Sequence, residues 1–109
     1  MAAPAERRNL RVLVCGGRDY SDRDAVYRVL DHLHKKHTIA AIIQGGARGA
    51  DRLAVDWATS RKIVLEWYIA DWNRLGPGAG HIRNQRMIDE GKPDAAVAFP
   101  GGTGTADMA

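Results

Sequence analysis

Three apolar runs in the sequence each lead into a glycine-rich turn, and this repetition constrains the fold more than any other feature. The runs are residues 10–15, 39–43 and 95–99, and a fourth run over residues 63–69 has no such turn. Near-continuous apolar runs that alternate with helices are typical of a parallel sheet covered on both faces. The sequence therefore predicts an α/β fold with three layers, in which four parallel strands lie between helices.

The segments between these runs carry apolar residues at helical spacing. The first predicted helix begins at a capping box formed by Ser21 with Asp24 and extends to about Lys36. The second is predicted over residues 50–62 and the third over residues 81–90, where the apolar periodicity is weaker. The stretch before the third helix is predicted to be a loop, because it holds three glycines and a proline.

Composition predicts one soluble domain. The chain has 109 residues and a formal net charge of +3, with a short N-terminal tail expected over residues 1–9 and the domain over residues 10–109. The single cysteine, Cys15, excludes an intrachain disulfide and a cysteine zinc cluster. The tail lacks the apolar segment of a signal peptide, and no run approaches the roughly 20 residues of a membrane helix. We expect a cytoplasmic protein with no membrane partner.

Three histidines near the end of the first predicted helix raise the question of a metal site. These are His32, His34 and His37, of which only the first and last share a helix face, and imperfectly. No carboxylate or cysteine completes a ligand set. We therefore predict no metal site and no cofactor.

The glycine turns predict where a ligand binds. Parallel strands point the same way, so the turns after the first, second and fourth strands lie along one edge of the sheet. We expect the first and fourth strands to be neighbours, with Gly16-Gly17-Arg18 beside residues 101–104. Glycine lets a ligand approach the backbone, and successive N–H groups of such a turn converge on an anion, helped by the following helix start. One such turn alone is as often empty, but three on one edge favour a phosphate-bearing ligand.

Charged and aromatic residues near these turns are the candidate ligand contacts. Arg18 and Arg83 are the predicted phosphate ligands, and Tyr20 and Trp72 are predicted to stack on a base, with core packing as the alternative for Trp72. Asp51 is predicted to accept ribose hydroxyls, with compensation of the helix N-terminal charge as the alternative. The full set of predicted ligand-binding residues is Gly16, Gly17, Arg18, Tyr20, Gly45, Gly46, Gly49, Asp51, Trp72, Arg83, Asn84, Gly101, Gly102, Thr103, Gly104 and Thr105.

Several motifs occur in an order that resembles the YspA, cpYpsA-related branch of the SLOG superfamily. They are Gly16-Gly17-Arg18-Asp19, the stretch from Gly45 to Asp51, Asp71-Trp72, Ala79-Gly80 with Arg83-Asn84, and the stretch from Phe99 to Thr105. The resemblance implies a Rossmann-like domain that binds nucleotides or their derivatives, such as ADP-ribose or NAD-like molecules. The family pattern continues beyond Ala109 with a helix and a strand, so we expect either a truncation or a homo-oligomer that covers the exposed sheet.

The resemblance also implies two alternative functions. Related LOG phosphoribohydrolases cleave the N-glycosidic bond of nucleotides with a glutamate, whose position here is Met108, while Asp107 lies one residue early and about 100° away on a helix. A hydrolase would therefore use Asp107 or Asp51 as its catalytic carboxylate. Relatives of the DprA type bind single-stranded DNA, which the modest charge and few aromatic residues of this chain disfavour. Binding or sensing of a nucleotide derivative is the first expectation.

Overall fold

The computed structural model describes residues 9–100, which form four strands and four helices. Along the chain these are β1 (Asn9–Cys15), α1 (Arg23–Lys36), β2 (Thr38–Gln44), α2 (Ala50–Ser60), β3 (Val64–Trp67), α3 (Trp72–Leu75), a 3₁₀ turn (Gly76–Gly78), α4 (Ala79–Asp89) and β4 (Ala95–Ala98). The predicted tail and the predicted turn after the fourth strand lie mostly or wholly outside the described residues.

The four strands form one parallel sheet in the order β3-β2-β1-β4. In β1, Val12 pairs with Ile42 of β2 on one side and with Ala95 of β4 on the other. The first and fourth strands are therefore neighbours, as the sequence predicted. The amide of Gly17 donates to the carbonyl oxygen of Pro100 at 3.3 Å, which holds the first glycine turn against the end of β4.

Helices cover both faces of the sheet, which confirms the three-layer Rossmann-like α/β arrangement. Alternation along β1 turns Val12 and Val14 to one face, where α1 and α2 close a core that includes the fully buried Trp57. Leu13 points to the opposite face and packs with Met87 of α4. This second cluster is much smaller, so most of the buried apolar surface lies between the sheet and the α1–α2 layer.

The structure corrects three predicted boundaries. Helix α1 is capped by Asp22, whose side chain accepts a hydrogen bond from the amide of Ala25 at 3.0 Å, and not by Ser21. The predicted loop before the third main helix contains α3 and the 3₁₀ turn, and α4 starts at Ala79, two residues early. Strand β3 ends at Trp67, where its partner β2 also ends, so the strand is shorter than the apolar run.

Two features are absent from residues 9–100. No helix in this range is long and apolar enough to cross a membrane. Within the same range, no group of three or more histidine, cysteine, aspartate or glutamate side chains is placed to hold a metal ion.

Candidate ligand-binding cleft

A cleft of about 360 Å³ opens at the carboxyl-terminal edge of the sheet. Its volume is near the lower end of the range found for small-molecule sites, about 300–1,000 Å³. It is lined by Arg18, Gly45, Gly46, Ala47, Arg48, Ile69, Ala70, Trp72 and Arg83. Five of these, Arg18, Gly45, Gly46, Trp72 and Arg83, are residues that the sequence placed in a ligand site.

The turn that follows β2, residues 45–47, forms the floor of the cleft, and its amide groups point into the protein. Gly45 and Ala47 donate to Oδ2 of Asp51 at 3.0 and 3.4 Å, and Gly46 donates to Oε1 of Gln44 at 2.6 Å. Two of these N–H groups therefore converge on a carboxylate of the chain itself, and their contact with a ligand anion stays a prediction. Gly45 leaves room for Arg83, and Gly46 has a φ of +73° with Ile69 against it.

Arg83 lies directly over this turn. Its Nη1 donates to the carbonyl oxygen of Gly45 and its Nε donates to Oδ1 of the buried Asn84, both at 2.8 Å. A Cβ on residue 45 would collide with the Arg83 guanidinium group, so the observed position of that group depends on glycine at residue 45. Both acceptors are neutral, and Nη2 donates to neither of them, so the side chain is held in place while its charge stays available.

The electrostatic surroundings of Arg83 are unusual for an arginine. Partial burial lowers its pKa, the charge of nearby Arg18 lowers it further, and the charge of Asp51 opposes both effects. Arg18 and Arg83 both line the cleft, and the effect of Arg18 on the pKa of Arg83 is that of a nearby positive charge. An anion placed between them would relieve this repulsion.

The two other arginines of the cleft are exposed. Within the described part of the chain, Arg18 forms no ion pair, and Arg48 lies 3.6 Å from a carboxylate oxygen of Asp19, with both side chains largely exposed. Such an exposed pair contributes little net attraction. The cleft therefore carries a concentration of positive charge that favours an anionic ligand.

Asp51, in the first turn of α2, accepts hydrogen bonds from the turn that lines the cleft. Its side chain is buried, and burial raises its pKa, although the amide bonds from Gly45 and Ala47 and the charge of Arg83 act in the opposite direction. Both amide bonds use Oδ2, and Oδ1 accepts no hydrogen bond from the described residues. The ribose-binding and catalytic roles of Asp51 stay predictions, beside a direct role in shaping the turn.

The two candidate stacking residues occupy different environments. Trp72, on α3, lines the cleft with 48% of its surface exposed, beside the 59% exposed Ile69. Tyr20 is half-buried, and its ring packs against Phe99 with 5.3 Å between ring centroids. Trp72 is therefore an exposed aromatic residue of the cleft, while Tyr20 packs against Phe99; stacking on a base stays a prediction for both.

The remaining glycines of the first two turns join the turns to each other. Gly49 has a φ of +80°, and a Cβ there would collide with the carbonyl oxygen of Gly17. Gly16 lies against Ala50 and Phe99, where a Cβ would come within 2.6 Å of the Ala50 side chain. These glycines do not line the cleft. The predicted contacts at residues 101–105, and Asp107, lie outside the described residues.

Four of the lining residues, Ala47, Arg48, Ile69 and Ala70, were not among the predicted contacts, nor was Gln44, which holds the turn beside them. Arg48 lies in the second glycine turn, and its positive charge within that motif could have identified it as a candidate contact. Gln44 is fully buried at the end of an otherwise apolar strand, and a polar residue in that position is itself a sign of a specific hydrogen bond.

Comparison with known proteins places this arrangement in a family. The sequence profile of the YspA, cpYpsA-related SLOG family matches residues 10–75, which include the first two glycine turns and Trp72. The chain belongs to the YspA, cpYpsA-related SLOG family. It is also similar to the "Gene 61 protein" of Mycobacterium phage D29, with 39% identity over 96 residues that cover 83% of this chain and 76% of the phage protein. No solved structure matches the chain. Membership of this SLOG family suggests nucleotide-related binding, and the name of the phage relative states no activity.

Proposed function

We propose that this SLOG protein binds a phosphorylated nucleoside derivative in the cleft, as a binding or sensing module. The observation that carries the proposal is the presence of Arg18, Arg48 and Arg83 in one cleft at the carboxyl ends of parallel strands. In open parallel sheets, ligands bind in this position. Guanidinium groups bind phosphate through paired, charge-assisted hydrogen bonds.

The division of roles follows from the two sides of the cleft. Arg83 and Arg18 supply the phosphate contacts, because Arg83 is already held by two neutral acceptors and Arg18 is free of acidic partners in the described range. Trp72 and Ile69 supply an apolar side against which a base can stack. A nucleotide, ADP-ribose or an NAD-like molecule carries both a phosphate and a base.

A thermal-shift screen followed by calorimetry tests the proposal. The panel is AMP, ADP-ribose and NAD, with adenosine as the ligand that lacks phosphate and a short single-stranded DNA. We expect the phosphorylated nucleosides to raise the unfolding temperature and adenosine to have a much smaller effect, because a ligand stabilises the state that it binds. Equal effects of AMP and adenosine, or no effect of any phosphorylated nucleoside, would contradict the proposal.

A matched pair of variants places the ligand. Arg18→Ala removes a cation from the cleft, whereas Arg28→Ala removes an equally exposed arginine from α1. We expect the first to weaken binding of AMP and the second to leave it unchanged. If both variants lose affinity equally, the attraction arises from overall charge and the cleft is not the site.

The same samples separate the alternative functions. Chromatography after incubation detects release of free base, which is expected only of a phosphoribohydrolase-like enzyme. Binding of single-stranded DNA that falls steeply with salt concentration would favour the nucleic-acid function. Sedimentation velocity tests the homo-oligomer expected from the sequence.

A further inference from the structure

The turn over residues 45–47 is held by side chains from both of its ends. Gln44, the last residue of β2, accepts from the amide of Gly46, and Asp51, in the first turn of α2, accepts from the amides of Gly45 and Ala47. Three consecutive amides are thereby turned away from the cleft. The carbonyl oxygen of Gly45 accepts a hydrogen bond from Nη1 of Arg83, so the turn also contacts α4.

Asp51 is well anchored for this purpose. It lies on α2 beside the fully buried Ala50 and Ala54, and this helix packs in the main core through Trp57. The carboxylate therefore connects the turn to a helix that packs in the main core. A continuous series of contacts runs from α2 through Asp51 and the Gly45 amide and carbonyl to the Arg83 guanidinium group.

We propose that Asp51 is a positioning residue, which acts on the ligand through Arg83 by fixing the turn that holds the Arg83 guanidinium group. The proposal rests on the proposed function, because it assumes that Arg83 contacts the phosphate. It differs from a catalytic or ribose-binding role for Asp51, because it requires only that an oxygen accept two amide hydrogen bonds. An asparagine side chain offers such an oxygen and no negative charge.

The energetics of the carboxyl group agree with this role. The titratable or charged groups that face it are Cys15 from β1 and Arg83 from α4. Burial raises the pKa of Asp51 more than its two amide bonds and the charge of Arg83 lower it, so folding disfavours the ionised form relative to the protonated form. The proposed role requires only a side-chain oxygen that accepts from the turn amides, and both aspartate and an asparagine in its place have one.

The test compares Asp51→Ala with Asp51→Asn, and uses Asp56→Ala as the control. Asp56 lies on the same helix and pairs with Arg52 and Arg23, away from the turn. Two readouts are taken by NMR without ligand, namely the hydrogen-exchange rates of the Gly45 and Ala47 amides and the Nε–H resonance of Arg83. A third is the calorimetric affinity for AMP and ADP-ribose.

For Asp51→Ala we expect exchange of these amides to accelerate by about tenfold or more, and affinity to fall by a similar factor, since two hydrogen bonds are lost. Asp51→Asn should restore both to within about threefold of the wild type, and Asp56→Ala should change neither. Unchanged exchange and an unchanged Arg83 resonance in Asp51→Ala would overturn the proposal. So would an Asp51→Asn protein that keeps the turn but binds as weakly as Asp51→Ala, since the carboxylate would then act on the ligand itself.

The experiment distinguishes failure of this proposal from failure of the proposed function. If the wild type binds neither AMP nor ADP-ribose, the proposed function fails, and the exchange rates with the Arg83 resonance still decide whether Asp51 holds the turn. If Asp51→Ala does not fold, Asp51→Asn alone decides, because the proposal requires wild-type exchange at Gly45 and Ala47 in that variant.

Discussion

Arg61 on the α1–α2 surface is paired with a carboxylate, whereas Arg18 and Arg83 of the cleft form no ion pair with another described residue. On that surface Arg61 donates to both carboxylate oxygens of Asp31, at 2.8 and 2.9 Å, and Trp57 donates to the same carboxylate. In the cleft, Arg83 donates to two neutral oxygens, and Arg18 has no acidic partner within the part of the chain that the structure describes. Arg61 thus connects α1 and α2 through an ion pair, whereas Arg83 is held by neutral oxygens and its positive charge has no direct carboxylate partner among the described residues.

The carboxylates of the two regions show the same contrast. Burial raises the pKa of Asp31, but hydrogen bonds from Trp57 and Arg61 and the charge of Arg61 outweigh it, so the pKa is lowered. For Asp51 the balance is opposite, and burial leaves its pKa raised. A carboxylate with a direct cationic partner stabilises the fold when ionised. For Asp51, folding instead disfavours the ionised form relative to the protonated form.

The largest expected effect is that of Arg83→Ala on ligand affinity. Loss of a charge-assisted contact with phosphate should weaken binding of AMP or ADP-ribose by about 1.5–3 kcal/mol. The control is Arg86→Ala, on the same helix, whose guanidinium group pairs with Glu90. Calorimetry should show wild-type affinity for this control. Wild-type affinity in Arg83→Ala would remove the residue from the site and end the contrast between the two regions.

A second prediction concerns the packing of Arg83 on Gly45. Gly45→Ala places a methyl group where the guanidinium group lies, so Arg83 must move, and affinity should fall by about tenfold, or about 1.4 kcal/mol. Gly78→Ala is the matched control, because a Cβ there meets open space and the residue has a helical φ of −79°. Retained affinity in Gly45→Ala would mean that the observed Arg83 position is not the one that binds.

Arg61→Ala tests the other side of the comparison. It removes two hydrogen bonds to Asp31 at a partly exposed position, so the free energy of unfolding should fall by about 1 kcal/mol. Urea denaturation measures this change. Affinity for AMP should be that of the wild type, and a loss of affinity would show that the α1–α2 surface takes part in binding.

The smallest effect is a dependence of stability on pH that arises from Asp51. Because the folded-state pKa is raised, the group contributes stability that is fully present below its unfolded-state pKa and is lost as pH rises through the folded-state pKa. Asp51→Asn lacks this titration. Its free energy of unfolding should therefore gain on that of the wild type as pH is raised from 3 to 7. If the free energy of unfolding of Asp51→Asn instead falls relative to that of the wild type as pH is raised, the assigned sign is wrong.

The adjacency of β1 and β4, and the edge of the sheet at which the glycine turns meet, could be predicted because the ends of the apolar runs are marked in the sequence. Glycine turns at the ends of apolar runs placed β1 beside β4 and brought Arg18, Gly45 and Trp72 to one edge. The direction of the turn amides could not be predicted, since it depends on Gln44 and on Asp51, whose carboxylate reaches back from the next helix. Position alone also did not show whether an aromatic ring would be exposed or packed, as Tyr20 against Phe99 demonstrates.

Chemical-shift mapping with AMP and ADP-ribose tests the central claim most directly. Each ligand is titrated into the ¹⁵N-labelled wild-type protein while the backbone amides, the tryptophan indole N–H groups and the arginine Nε–H groups are followed. The account predicts that the largest shifts occur at residues 45–48, at Nε of Arg83 and at the indole of Trp72, with little change at Arg61 and Trp57. Shifts concentrated on the α1–α2 surface, or the absence of shifts with both ligands, would contradict it.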